Sequence, residues 1–206
     1  MRIGIDFDNT MVDYTGVFYQ VALELGWIPK ETLPTKFAVK QSFLDANNER
    51  KWTELQGIVY GREIHQAIPF AGIHQTITTW LNKGHELFII SHKTKYPIIG
   101  DKVNFHIAAM TWLEQYQLVS SLGSLSTIAK ENVFFNETKE EKIAKIAALS
   151  CDIFIDDLPS ILMHKSFPKQ SKKVLFDPKN EQKLEQQYSE LAKNKISHWS
   201  TLAEHY

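Results

Sequence analysis

The chain alternates short apolar runs with stretches of helical periodicity. Residues 2–7 read Arg-Ile-Gly-Ile-Asp-Phe, and residues 86–91 read Glu-Leu-Phe-Ile-Ile-Ser. Residues 132–136, 152–157 and 173–177 repeat the pattern, with a weaker strand candidate at 195–199. Continuous apolar runs of this length are what strands buried on both faces require. Between them, residues 72–83 place Ile73, Ile77, Trp80 and Leu81 on one helical face and stop at Gly84, a C-terminal cap. Residues 103–118 and 139–149 carry helical spacing as well, and 180–193 read as a polar surface helix rich in Glu and Gln. Strands alternating with helices imply right-handed crossovers and a parallel sheet, hence a Rossmann-like α/β fold.

Residues 11–71 break the alternation. They hold helical patterns at 14–25 and around 47–60, interrupted by Pro29, Pro34 and Pro69, and no convincing strand. A crossover between neighbouring strands is normally much shorter. The expected organisation is therefore a core of residues 1–10 and 72–206, with 11–71 inserted as a small helical subdomain. Ligands of open α/β sheets lie at the carboxyl ends of the strands. An insertion directly after the first strand is expected to act as a lid over that edge.

Composition narrows the function classes. The 206 residues suit one domain, or one domain with an insertion. A net charge of -1 gives no global attraction to a nucleic-acid polymer or an anionic membrane, though it permits a local pocket for a small phosphate. No stretch reaches bilayer length. One cysteine excludes a disulfide framework within the chain and any cysteine-rich zinc site. Cys151, at the start of a predicted buried strand, reads as inert. His65, His74, His85 and His106 have no zinc-like spacing. Met1 and Arg2 lead straight into the first strand without a leader-like apolar segment, so the cytoplasm is the expected location. Nothing sets the oligomeric state.

Four sets of polar residues fall at or after predicted strand ends. In Asp6-Phe7-Asp8-Asn9-Thr10 the two acids point the same way along a strand. Carboxylates so placed repel unless a cation lies between them or one is protonated. The other use of the same residues is a helix-capping turn. Ser91 follows Leu87-Phe88-Ile89-Ile90, where a hydroxyl beside free backbone amides suits a phosphate oxygen or, equally, a turn. Lys139 opens the 139–149 helix, with Lys142 as a competitor one turn later. Asp156-Asp157 ends the apolar run Ile153-Phe154-Ile155, and acids there need a partner, commonly a metal.

An Asp-x-Asp-x-Thr after strand one, a serine after strand two, a helix-start lysine and a later Asp pair occur in that order from about residue 2 to 178. The conjunction resembles the phosphatase branch of the haloacid dehalogenase (HAD) superfamily with its C1 cap. The resemblance implies that Asp6 is the nucleophile and Asp8 the general acid and base, and that the cofactor is Mg²⁺. The metal would be held by Asp6, the Asp8 carbonyl and Asp157, with Asp156 supporting. Ser91 and Lys139 would bind the phosphoryl group. Thr10 is part of the first motif. Asn9 replaces the family's usual glycine, and His92-Lys93-Thr94-Lys95 is unusually basic for its position. His92 and Lys93 are therefore further candidates for an anionic substrate, a solvated loop being the alternative.

Of the aromatics in 11–71, most read as subdomain core. Tyr14 is the exception, since Asp13-Tyr14 resembles an Asp-aromatic pair of 5'(3')-deoxyribonucleotidase-like proteins. The stretch around Ser91 also resembles HAD proteins of polysaccharide loci. The expected activity is Mg²⁺-dependent hydrolysis of a small phosphorylated metabolite, a nucleotide or a sugar phosphate. A non-catalytic phosphate-binding protein and a phosphotransferase or mutase are the alternatives.

Overall fold

The structure, a computed structural model, describes residues 1–180 and 189–206. The chain opens with β1 (Arg2–Ile5) and β2 (Val12–Asp13), then runs through three helices, α1 (Val17–Glu24), α2 (Lys36–Asp45) and α3 (Glu49–Tyr60). After β3 (Ile68–Pro69) come α4 (Ile73–Asn82), β4 (Glu86–His92) and α5 (Phe105–Gln115). Next are β5 (Val119–Ser120), β6 (Ile128–Ala129), β7 (Val133–Asn136), α6 (Lys139–Ala148) and β8 (Ile153–Asp156). The chain closes with α7 (Pro159–Leu162), β9 (Lys172–Phe176), α8 (Ser189–Ala192), β10 (Lys195–Ile196) and α9 (Trp199–His205).

All six expected strands form, and they share one sheet in the order β10-β9-β8-β1-β4-β7. Every neighbouring pair is parallel. Ile3, Ile5, Ile89, Ile90, Phe154, Ile155, Val174 and Leu175 are fully enclosed, which is why their segments show no polar alternation. The strands pack closely. A Cβ on Gly4 would stand 2.6 Å from the Phe154 ring and 3.1 Å from Cys151 Sγ, so no larger residue fits there without displacing the core. Cys151 is buried, and burial pushes its thiol up to about 11, in keeping with an inert core residue. The expected helix over 180–193 falls mostly outside the described residues.

The chain divides into two compact units. One comprises Met1–Val12, Pro69–Lys93 and Glu114–Tyr206, and carries the six-stranded sheet. The other comprises Asp13–Ile68 and Thr94–Leu113. Residues 94–113, which the strand-helix alternation assigns to the core, thus group with 13–68. Gly57 on α3 admits the second segment, since a Cβ there would lie 2.9 Å from Pro97. This unit has its own core, with Phe18, Phe43, Trp52, Leu55 and Val59 buried. Helix α2 has no counterpart in the sequence pattern, because its buried face is only Val39 and Phe43. No helix of the described residues is long and apolar enough to cross a membrane.

Candidate active site

The register of the sheet assembles the site. Strand β1 lies between β4 and β8, and Ile5 pairs with both Ile89 and Ile155. The next residues along β1 and β8, Asp6 and Asp156, therefore leave the same carboxyl edge side by side. The Asp6 amide donates to the Ile155 carbonyl at 2.9 Å. Beyond Asp6 the chain folds back on itself. The amides of Thr10, Met11 and Val12 converge on the Phe7 carbonyl at 3.4, 2.9 and 3.2 Å. The turn holds Asn9 at φ 58°, a left-handed conformation that Asn tolerates better than most side chains.

Helix α6 supplies the cation. Its start is fixed by a capping box: Thr138 Oγ1 accepts from the Glu141 amide at 3.1 Å, and Glu141 Oε2 accepts from the Thr138 amide at 3.0 Å. This places Lys139 in the first helical position and Lys142 a turn deeper. Helical side chains lean back toward the N-terminus, so the deeper residue reaches the sheet edge. Lys142 Nζ donates to Asp6 Oδ1 at 2.7 Å and to Asp156 Oδ2 at 2.6 Å. Lys139 is exposed. The expectation for Lys139 is thereby corrected, and Lys142 is the lysine of the site.

Two buried carboxylates share this one ammonium. Burial pushes the Asp6 carboxyl up to about 7, Asp156 and Asp8 add to the rise, and Lys142 opposes it. Burial also works against the Lys142 charge, but Asp156 and Asp6 outweigh it and hold its pKa above the usual lysine value. The remaining Asp156 oxygen accepts from the Leu158 amide at 2.8 Å. Asp157 completes the group: Asp6, Asp156 and Asp157 each offer an oxygen, and these atoms lie within 4.8 Å of one another. An all-carboxylate donor set with excess negative charge fits a hard divalent cation.

The other predicted residues divide. Ser91 is buried at the carboxyl end of β4, and Thr10 Oγ1 lies 3.4 Å from Asp6 Oδ2. Lys93, expected to meet substrate, instead donates to both oxygens of Asp8 at 2.7 and 2.9 Å, with its side chain 3% exposed and that of Asp8 20%. His92 Nε2 meets the Glu137 carbonyl at 3.2 Å. Burial lowers the pKa of His92, which disfavours the charged ring. Tyr14 is buried and packs edge-on against Phe18 and Tyr60, at 6.2 and 5.1 Å between ring centres. It belongs to the aromatic core of its unit, which corrects the expectation that it stands apart as a stacking surface.

Two supports escaped the sequence reading. Asn136 Nδ2 donates to the Ser91 carbonyl at 3.0 Å, and the Lys93 amide donates to the Asn136 carbonyl at 2.8 Å, tying β7 to the end of β4 and the residue that follows it. Trp199 Nε1 donates to the Thr10 carbonyl at 3.0 Å from a fully buried ring. Asn136 ends an apolar run, a weak signal of a role at the strand edge. Trp199 gives no local signal, because its partner is 189 residues away.

Comparison with solved structures defines the class of fold. A dehalogenase structure matches over 100% of this chain and 96% of its own, with 9% identity and a TM-score of 0.55. A subfamily IA HAD hydrolase from Geobacter sulfurreducens matches over 100% and 98%, at 12% identity and TM-score 0.49. A HAD-superfamily hydrolase from Ehrlichia chaffeensis matches over 99% and 94%, at 11% and 0.48. No protein-family model matches the chain, and no curated protein matches it. The chain shares the fold of the dehalogenase structure, with a carboxylate cluster at the carboxyl edge of its sheet.

Proposed function

We propose that the protein is a Mg²⁺-dependent phosphomonoesterase acting on a small phosphorylated metabolite, a nucleotide or a sugar phosphate. The observation that carries this reading is the Asp6 carboxylate, set between Lys142 and the Asp156-Asp157 pair, with Asp8 two residues on. One oxygen of Asp6 is held by Lys142, and the other, which accepts only a long 3.4 Å contact from Thr10 Oγ1, attacks phosphorus to form an aspartyl phosphate. Asp8, protonated on an oxygen that Lys93 releases, donates that proton to the departing alkoxide and then, as the carboxylate, takes one from the water that cleaves the acyl phosphate. Lys93 grips both Asp8 oxygens and so fixes the plane of that carboxyl group. Lys142 offsets charge on Asp6 and on the transferring group, and Ser91 offers a hydroxyl to a phosphoryl oxygen.

Asp6, the Asp8 carbonyl and Asp157 would hold the metal, with Asp156 orienting Lys142. Bound there, Mg²⁺ supplies positive charge that screens phosphate from carboxylate. Asp8 favours phosphoryl transfer over dehalogenation, because ester cleavage needs a proton for its leaving oxygen whereas a halide leaves without one. The test is a turnover screen over nucleoside monophosphates, sugar phosphates and 2-haloacids, with Mg²⁺ or EDTA, on wild type and Asp6→Asn. Phosphate release that needs Mg²⁺ and disappears in Asp6→Asn supports the reading. Turnover surviving Asp6→Asn overturns the nucleophile, and halide release without phosphate release overturns the substrate class.

A further inference from the structure

Away from the carboxylate cluster, the segment between α7 and β9 is strongly cationic. No Asp or Glu lies between Asp157 and Asp177, while Lys165, Lys169, Lys172 and Lys173 all do, together with His164. These five residues line one cavity of about 500 Å³, and no acid is among its described lining residues. In a chain whose net charge is -1, so many cations without acids form a local positive field.

Two further features make this a formed pocket. Ser171, 3% exposed, lines the cavity, and its Oγ has no hydrogen-bond partner among the described residues. A buried hydroxyl without a partner forgoes its hydrogen bond, and a ligand oxygen in the cavity would restore it. Among the described residues, Lys173 Nζ meets soft neighbours, Met163 Sδ at 3.6 Å and the Phe167 ring at 5.6 Å. Its ammonium is thus positioned beside the cavity by packing, with Phe167 as an apolar wall.

The sheet register separates this pocket from the catalytic edge. Lys172 opens β9 and pairs with Ile153, the first residue of β8, whereas Asp156 ends β8 and pairs with Leu175. The cations therefore gather at the amino end of the parallel strands and the carboxylates at the other. We infer that residues 164–173 form a second, non-catalytic site for a small phosphorylated molecule, whose phosphate is taken by the Lys169 and Lys173 ammonium groups and the Ser171 hydroxyl. The volume suits a ligand the size of a nucleotide or sugar phosphate, and a pocket with Ser171 in its lining fits this better than a continuous nucleic-acid strand.

The inference does not depend on the proposed phosphatase activity, and its test reads binding alone. Pyrophosphate is titrated into the whole chain in EDTA at low salt, followed by amide NMR shifts. Saturable shifts at Phe167–Lys173 are expected. Reversing two exposed charges of the lining, Lys165→Glu with Lys169→Glu, should weaken binding about tenfold or more. Ser171→Ala should weaken it roughly fivefold to tenfold, the loss of one hydrogen bond to a charged group. Neither change touches Asp6 or Lys142. Shifts confined to residues 6–10 and 91–93, unchanged by the charge reversal, would overturn the site. Binding lost in the reversal but indifferent to Ser171→Ala would also overturn it, as diffuse attraction. A single-stranded oligonucleotide binding the same residues far more tightly than pyrophosphate would overturn the small-ligand assignment.

Discussion

Lys142 and Asp6 meet at 2.7 Å across 136 residues of sequence, both side chains almost wholly enclosed. Removing the cation leaves two acids buried together. Lys142→Met is expected to destabilise the metal-free protein by about 3 kcal/mol and to lower turnover by ~10²–10³. Lys139→Ala, on the exposed face, should change stability by less than about 0.5 kcal/mol. Urea melts and initial rates on the pair check this, and equal effects would refute the assignment of Lys142.

The same contact predicts a pH dependence. Asp6 binds its proton more tightly folded than unfolded. Its stabilising contribution is complete below about 3.8 and is lost as pH rises through about 7. In EDTA, wild type should lose roughly 2–4 kcal/mol relative to Asp6→Asn between pH 4 and pH 8. Lys142 titrates above this window, and His92 is common to both proteins and cancels. Paired denaturation curves read the difference, and a flat one would show that Asp6 is not perturbed.

Added Mg²⁺ should raise the midpoint of thermal unfolding. At a hundredfold excess over the dissociation constant, stabilisation by about 2.7 kcal/mol is expected. Asp157→Asn should remove most of that shift while leaving the Lys142 contacts in place. A full Mg²⁺ response in Asp157→Asn would assign the metal to other residues.

Lys93→Met frees Asp8 from its bidentate partner. If Lys93 fixes the plane of Asp8, kcat falls about tenfold or more with little change in KM. If an incoming phosphate takes Lys93 for itself, KM rises instead. Steady-state kinetics on the best substrate of the screen distinguish these outcomes, and no change in either constant would make the pair purely structural.

Trp199→Phe keeps an aromatic ring against Trp80 and Phe176 but removes the donor to the Thr10 carbonyl. A loss of about 1–2 kcal/mol in stability is expected, from one buried acceptor left unsatisfied. The loop that carries Asp8 should also loosen, seen as faster amide exchange at Asn9 and Thr10. Unchanged exchange there would confine Trp199 to packing.

The strands were legible because both faces of the sheet are covered, so each strand declares itself as an unbroken apolar run. Asp6, Asp8, Ser91 and the Asp pair were legible because they end those runs. Lys142 was half legible. Thr138-x-x-Glu141 marks where α6 begins, and Lys142 precedes Ile146 by one turn, which sets it on the buried face; but Ile143, Ile146 and Ala147 follow Lys139 at the offsets the family resemblance favours, and these pointed to Lys139. Tyr14, His92 and Lys93 were placed near an edge by their position in the chain, but their partners, Tyr60, Glu137 and Asp8, are fixed by tertiary packing. The union of 94–113 with 13–68 was hidden for the same reason, since it rests on a close approach at Gly57 that no local pattern encodes.

The hydrogen bond from Trp199 to Thr10 joins residues 189 positions apart, and this bears on how the molecule comes into being. The motif that begins the carboxylate edge is synthesised long before Trp199, which braces its turn, and Asp6 waits for Lys142 and Asp156 in between. Such distant pairings make folding slow, because the chain must close long loops before any of them is rewarded. A nascent chain stalled before residue 199 would thus carry every acid of the cluster without the brace behind it, and would be expected to remain protease-sensitive around residues 6–10 until translation passes that tryptophan.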